Sequence, residues 1–239
     1  MLNLILTRHG HALAGEVVLG GQLDVPLSDQ GRREAQALAG RLSGVRLDRI
    51  VSSPMLRALE TAQAVALGRP VEVDERLREF DYGAWEGLTA EEIGQHDPEL
   101  RRSWEADPAS VPTPGGESGN DVAGRVGSFL ADLLAAERRQ MEADGRPAPS
   151  LRKAHSAISE APSDESDRRV LVAAHGSLNR ILLCVALDVP VRDFRRRFVQ
   201  DRANVTVLYY EAADGPEGAQ LVLCNDIEHL RAPGETPWR

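Results

Sequence analysis

Apolar residues in this chain occur either as short continuous runs or at helical spacing, and the two styles alternate. Leu2 to Thr7 is a nearly continuous apolar run, as expected of a strand buried on both faces of a parallel sheet. A glycine-rich loop follows. After Pro26, Ser28 can cap a helix whose Ala35, Leu38, Ala39 and Leu42 fall on one face and which Gly44 can end. Ile50 and Val51 form a second short strand, after which Ser53 stands as an N-cap with Pro54 at the first position of a helix reaching about Leu67. Val71 to Val73 reads as a short extended piece, and Leu77 to Leu88, with Gly83 and Gly87 among aromatics, as an ordered loop. Thr89 and Glu92 have the spacing of a capping box, so a short helix begins there. Pro108, Pro112, Pro114, Gly115 and Gly116 interrupt periodicity before a long helix from about Ser118 to Ala143, with Val122, Val126, Phe129, Leu130, Leu133 and Leu134 on one face.

From 144 to 168 the chain turns to Ala, Pro, Ser and charge, which reads as a mobile low-complexity insertion, not a domain linker. Core signals then resume. Val170 to Ala174 is a buried strand, Ser177 to Leu187 a helix, Asp193 to Val199 an Arg-rich helix after Pro190, and Asn204 to Tyr210 and Gln220 to Cys224 closing strands. Strands alternating with helices predict an α/β fold with a mainly parallel sheet in one domain over 1–239. Within it, 88–116 is a helical excursion over one edge of the sheet, where it could cover a pocket, and 231–239 is a tail.

Composition narrows the class. With 239 residues, 42% hydrophobic and 27% charged, the chain is neither disordered, collagen-like nor a disulfide mini-protein. Its net charge of −9 argues against nucleic acid or an anionic membrane as partner, so an anionic ligand needs a local cationic pocket. Arg192, Arg195, Arg196, Arg197 and Arg202, without interleaved aromatics, read as a solvated helix face. Cys184 and Cys224 sit in apolar runs without metal-ligand spacing and read as buried free thiols. The apolar amino terminus is too short for a signal-peptide core, and no run approaches the roughly 18 residues of a membrane helix. A soluble, cytoplasmic protein is expected.

Arg8-His9-Gly10 follows the first strand and His175-Gly176-Ser177 a later one. Ligands of open α/β sheets bind beyond the carboxyl ends of strands, so His9 and His175 make a candidate pair of facing imidazoles. Arg57, in the first turn of its helix, leans back toward the same crevice; with Arg8 it would offer two planar forks suited to a phosphate dianion. Amides at the helix start near Gly176 and Ser177 would add donors. The loop from Leu77 to Gly87 interleaves carboxylates with aromatics, whose shielding can keep a carboxyl protonated near neutral pH. The residues alone do not choose between Glu79, Asp81 and Glu86.

These motifs resemble the histidine phosphatase superfamily, in its phosphoglycerate-mutase-like branch. The resemblance rests on Leu6-Thr7-Arg8-His9-Gly10, Asp24 to Gly31, Ser52-Ser53-Pro54-Met55-Leu56-Arg57-Ala58, the Glu79 loop, Gly115-Gly116-Glu117-Ser118 and Ala174-His175-Gly176, in family order across nearly the whole chain. It implies a three-layer α/β/α sandwich and a phosphomonoester hydrolase acting on a small phosphorylated metabolite. His9 would be the nucleophile, Glu79 the general acid and then base, and His175 a ligand of the phosphoryl group. Arg8, Arg57, Gly21 and Gly176 would complete the phosphate site, with neither metal nor cofactor, because the arginines supply the charge. Ala12 and Gly15 stand where the family often has a hydroxyl residue and an Asn that contacts phosphate, and amides of Gly20, Gly21 or Gln22 would substitute. His11 reads as solvent-exposed, with a role in specificity as the alternative. The Trp85-Glu86-Gly87 sequence and the compact excursion look like the broad-specificity phosphatases of the family. A cofactor-dependent phosphoglycerate mutase, with Arg101 and Arg102 holding a carboxylate, is the alternative, and an idle binding protein of the same fold the third. Substrate identity and oligomeric state stay open.

Overall fold

The computed structural model describes residues 1–13, 19–145, 167–211 and 215–231. Gly15, most of the insertion (146–166) and all but the first residue of the tail (232–239) therefore lie outside the described residues. A six-stranded sheet forms the middle layer, with strands β1 (Leu2–Arg8), β2 (Arg49–Ser52), β3 (Glu72–Val73), β4 (Arg168–Ala174), β5 (Val205–Tyr210) and β6 (Gln220–Asp226). Their order is β3-β2-β4-β1-β5-β6. The first four in that order run parallel, while β5 and β6 add antiparallel pairs at one side. The closing strands expected from the pattern are thus present, in antiparallel sense.

The continuous apolar runs have the cause assigned to them: both faces of the sheet are covered. Leu4 and Leu6 of β1 and Val170, Val172 and Ala174 of β4 point into one core, shared with helices α5 (Gly119–Ala143) and α6 (Gly176–Ala186). Ile5, Leu171 and Ala173, one residue out of step, point into the other core, with Leu38 and Leu42 from helix α1 (Asp29–Arg41) and its end and Ala62 and Val65 from α2 (Leu56–Ala66). Two helical layers enclosing a mainly parallel sheet make an α/β/α sandwich.

Ser28 caps α1, its hydroxyl accepting the Gly31 amide, and Ser118 and Asp121 form a capping box at α5. The Thr89 capping box is present too. It starts α3 (Ala90–His96), and Pro98, unable to extend that helix, opens the separate α4 (Pro98–Ala106), so the excursion is a helix pair. Three expectations are corrected. The helix after β2 begins at Leu56, not Pro54, because the Ser53 hydroxyl is engaged by His175 and the Leu56 amide is taken by Asp24. The Arg-rich helix α7 is only Phe194–Arg197, preceded by a 3₁₀ turn at Val191–Asp193 and anchored by buried Phe194. Cys184 is a buried free thiol as expected, but Cys224 is exposed, since β6 is an edge strand with little packed over it.

Candidate active site

Arg8 and Ala174 are register partners at the carboxyl ends of β1 and β4, and the chain continues the pairing one step further, the His9 amide donating to the Ala174 carbonyl at 2.9 Å. His9 and His175 therefore leave neighbouring strands side by side, with ring centroids 5.2 Å apart and planes at 60°. The crevice falls where the chain reverses direction of strand addition: β1 leads by way of α1 to β2 on one side, and β4 leads by way of α6 to β5 on the other.

The hydrogen bonds fix how the two rings are used. His9 Nδ1 is 2.7 Å from its neighbour's carbonyl, Gly10 O, which can only accept, so Nδ1 carries the proton and Nε2 the lone pair. Arg57 Nε–H donates to that Nε2 at 3.2 Å. Ser53 Oγ accepts the Met55 amide and lies 2.8 Å from His175 Nε2. His175 Nδ1 has no hydrogen-bond partner among the described residues. Both imidazoles have pKa values pushed well below the ordinary histidine range, first by burial and then by the charge of Arg57, so both rings are neutral.

Around His9 is a cavity of about 220 Å³ lined by Arg8, Arg57, Glu79, Gly21 and Gly176, so the sequence-derived residues other than His175 converge on one space, with His175 buried beside His9. The details differ from two open forks. Arg57 Nη1 and Nη2 are bound to the carbonyls of Leu23 and Gly21, so Arg57 ties down the loop that walls the cavity while its Nε faces His9. Gly21 presents its carbonyl to Arg57. The Gln22 amide is committed to Glu86. Arg8 Nη1 donates to Gln200 O at 2.9 Å while its Nε is unpartnered, and a Cβ on Gly176 would come within 3.2 Å of that Nε, so glycine lets the guanidinium lie against the start of α6. Two of the helix-start amides are engaged within the chain: Ser177 N and Leu178 N both donate to the Glu79 carboxylate, at 3.1 and 2.9 Å. Phe80 N adds a third donor at 2.9 Å, which picks Glu79 from the three carboxylates of its loop as the one brought to His9's cavity.

Four polar lining side chains escaped the sequence reading: Tyr82, Ser177, Arg180 and Arg202. Tyr82 OH and Ser177 Oγ are 2.8 Å apart. Arg202, read as part of a solvated helix face, belongs instead to the turn before β5 and lines the cavity. Arg180 had a signal: it is one turn beyond Ser177 on α6, leaning toward that helix's start. His11 does not line the cavity; its Nδ1 pairs with Ser28 Oγ at 2.8 Å. Of the pair considered for a carboxylate clamp, Arg101 is tied to Glu105 and Ala90 O, and Arg102 to Pro98 O. Among the described residues no group of three or more His, Cys, Asp or Glu could hold a metal ion, and no helix is long and apolar enough to cross a membrane.

Comparison with known proteins agrees with this geometry. The model of the histidine phosphatase superfamily (branch 1) matches residues 4–143 and 147–226. A glucosyl-3-phosphoglycerate phosphatase of Mycolicibacterium vanbaalenii is 35% identical over 221 residues, 90% of this chain and 88% of that one. Phosphoserine phosphatase 1 of Hydrogenobacter thermophilus is 32% identical over 214 residues, 88% of each chain. The solved complex of a mycobacterial glucosyl-3-phosphoglycerate phosphatase with inorganic phosphate superposes with a TM-score of 0.74 at 32% identity, covering 95% of this chain and 98% of that one. On this match over nearly the whole chain and these relatives, this chain belongs to the histidine phosphatase superfamily and is a phosphatase.

Proposed function

We propose that the protein hydrolyses monoesters of small phosphorylated metabolites in the cytoplasm through a phosphohistidine on His9, without a metal ion. The observation that carries this reading is the state of His9: a neutral ring with its Nδ1 proton held by Gly10 O and its Nε2 lone pair turned toward Arg57, in a cavity shared with Arg8 and Glu79.

In this reading Nε2 attacks phosphorus, the bond from phosphorus to the ester oxygen breaks, and Glu79 gives the departing alkoxide its proton. Arg57 Nε and Arg8 Nε take the phosphoryl oxygens, and His175 Nδ1–H supplies a further neutral donor. The Glu79 carboxylate then takes a proton from water, the water oxygen bonds to phosphorus, and the bond to Nε2 breaks to release orthophosphate. Gly21 contributes by anchoring Arg57, and Gly176 by leaving room for Arg8. Hydrolysis is preferred to mutase chemistry because both named relatives are phosphatases and because Arg101 and Arg102 are committed to partners of the excursion itself.

The test is orthophosphate release from a panel of small phosphomonoesters with EDTA present, run beside His9→Ala, together with acid quenching to look for acid-labile, alkali-stable phosphate on the protein. Release that survives EDTA, vanishes in His9→Ala and leaves label on the native chain is the expected result. Activity retained by His9→Ala, or abolished by EDTA, overturns the mechanism. Isomerisation of 3-phosphoglycerate without net release would move the protein to the mutases.

A further inference from the structure

A second cavity, about 350 Å³, adjoins the one around His9, and the two share Leu19, Tyr82, Ser177 and Arg180. An ester whose phosphoryl group reaches His9 thus projects its alcohol half past Arg180 into this space. The far side is aromatic and rigid. Trp104 meets Trp85 and Tyr82 edge-on at centroid distances of 5.8 and 6.2 Å, and Trp85 is pinned by its Nε1–H to Asp97 at 2.9 Å.

The charges on this cavity do not balance. Four charged side chains line it, and two of them, Arg101 and Glu105, neutralise each other at 2.8 Å. Arg180, from α6, and Arg195, from α7, have no carboxylate partner among the described residues. Arg180 Nε is buried without a hydrogen-bond acceptor, and the Arg195 guanidinium stands over the Trp104 ring at 4.9 Å. Both cations are close enough to Tyr82 to act on the ionisation of its phenol. Arg180 thus holds a buried nitrogen without an acceptor, and the solvent-exposed Arg195, from a second helix, faces the same half-apolar space, so in a chain of net charge −9 this cavity presents two cations to an anion. Arg8 and Arg57 already face the phosphoryl position, so the missing anion belongs to the other half of the substrate.

We infer that the leaving group carries a carboxylate, which Arg180 and Arg195 bind while its carbon skeleton lies against Tyr82 and Trp104. The planar forks of arginine match the two oxygens of a carboxylate. This rests on the hydrolytic reading above and specifies the substrate class of that site. Arg195 takes the role for which sequence pointed to Arg101 and Arg102.

Matched esters test it. 3-Phosphoglycerate and glycerol 1-phosphate differ by a carboxylate, as do phosphoserine and phosphoethanolamine. The native chain is expected to favour the carboxylated member of each pair in kcat/KM by roughly ten-fold or more, the scale of one charge-assisted hydrogen bond. Arg195→Gln is expected to bring that ratio close to one, and Arg195→Lys to keep part of it. The neutral ester is the internal control, since a misfolded variant loses both activities; Arg195→Lys, which retains the cation, must then still favour the carboxylated ester, and equal activities in it overturn the inference. Equal kcat/KM within the pairs, or a preference that survives Arg195→Gln, overturns the inference alone. A stronger preference for a bisphosphate than for either carboxylated ester overturns it in favour of a second phosphate. No release from any ester overturns the inference together with the hydrolytic reading.

Discussion

Arg57 Nε lies 3.2 Å from His9 Nε2, while the other two nitrogens of the same guanidinium hold the carbonyls of Leu23 and Gly21. One side chain thereby orients the imidazole, closes the wall of the cavity and, after burial, is the largest influence lowering the pKa of His9. Removing the cation raises that pKa toward its ordinary value, so a larger fraction of His9 is protonated in mild acid. Arg57→Gln is therefore expected to lose about 10²- to 10³-fold in kcat and to shift the acid limb of the kcat/KM profile to higher pH. Arg57→Lys keeps the charge and loses the geometry, so kcat falls with the limb nearly in place. Coincident acid limbs for the native chain and Arg57→Gln would separate Arg57 from the ionisation of His9.

The two buried imidazoles also make stability depend on pH. In the unfolded chain they take up protons near the ordinary value of about 6.5, whereas in the folded chain burial and Arg57 hold both well below it. Between those values the unfolded state binds more protons, so the stabilising contribution is complete above about pH 6.5 and is lost as pH falls below it. The slope is about 1.4 kcal/mol per pH unit for each imidazole until its folded pKa is reached. His229, lowered chiefly by burial, acts in the same direction. Thermal melts should give a flat Tm from about pH 8 to 7 and a decline from about 6.5 to 5, shallower in a His175→Asn variant. An unchanged slope in that variant would assign the acid sensitivity to other groups.

Local sequence carried the elements whose geometry is decided locally. The run from Leu2 to Thr7 marked a strand covered on both faces because Leu4 and Ile5 enter opposite cores, and Ser28, Thr89 and Ser118 marked helix starts because the caps they form involve residues three positions on. His9 and His175 were legible as a pair because each follows a parallel strand, and β1 and β4 turn out to be adjacent. What tertiary contacts decide was not legible. Ser53 read as a helix cap until His175, 122 positions away, took its hydroxyl. The amides near Gly176 and Ser177 read as open donors until Glu79, from another loop, took those of Ser177 and Leu178. Arg202 read as surface because nothing near it in sequence shows that its turn backs onto Arg8.

Ser53 offers a direct check on the second imidazole. Its hydroxyl is the sole described partner of His175 Nε2, and both groups are completely buried. Ser53→Ala removes that bond and leaves a ring nitrogen unsatisfied, so urea unfolding should show a loss of about 1–3 kcal/mol. Loss of the hydroxyl that holds the ring in place should also lower kcat while leaving KM nearly unchanged, since in the proposed mechanism His175 acts on the transferring phosphoryl group. Destabilisation with an undiminished kcat would reduce Ser53 to a structural part.

Glu137 separates stability from chemistry. It is 2% exposed on α5 and bridges Arg168 of β4 and Arg49 of β2, the latter at 2.8 Å, at the end of the sheet away from His9. Arg49 has a second carboxylate in Glu72, but among the described residues Arg168, itself buried, has beyond Glu137 only the distant Asp48 and Asp144, at 3.9 and 3.8 Å. Glu137→Ala leaves that guanidinium without a close counter-charge. Stripping one partner from a buried pair costs about 3–5 kcal/mol, while replacing the whole pair by apolar groups of similar volume is often neutral. Denaturant unfolding should therefore show a large loss for Glu137→Ala and a recovery for the Glu137→Leu, Arg168→Met double variant. Below the melting range kcat/KM should match the native chain in both variants. A fall in kcat/KM that tracks the loss of stability would mean that the strand ends carrying His9 and His175 are not insulated from the far end of the same strands.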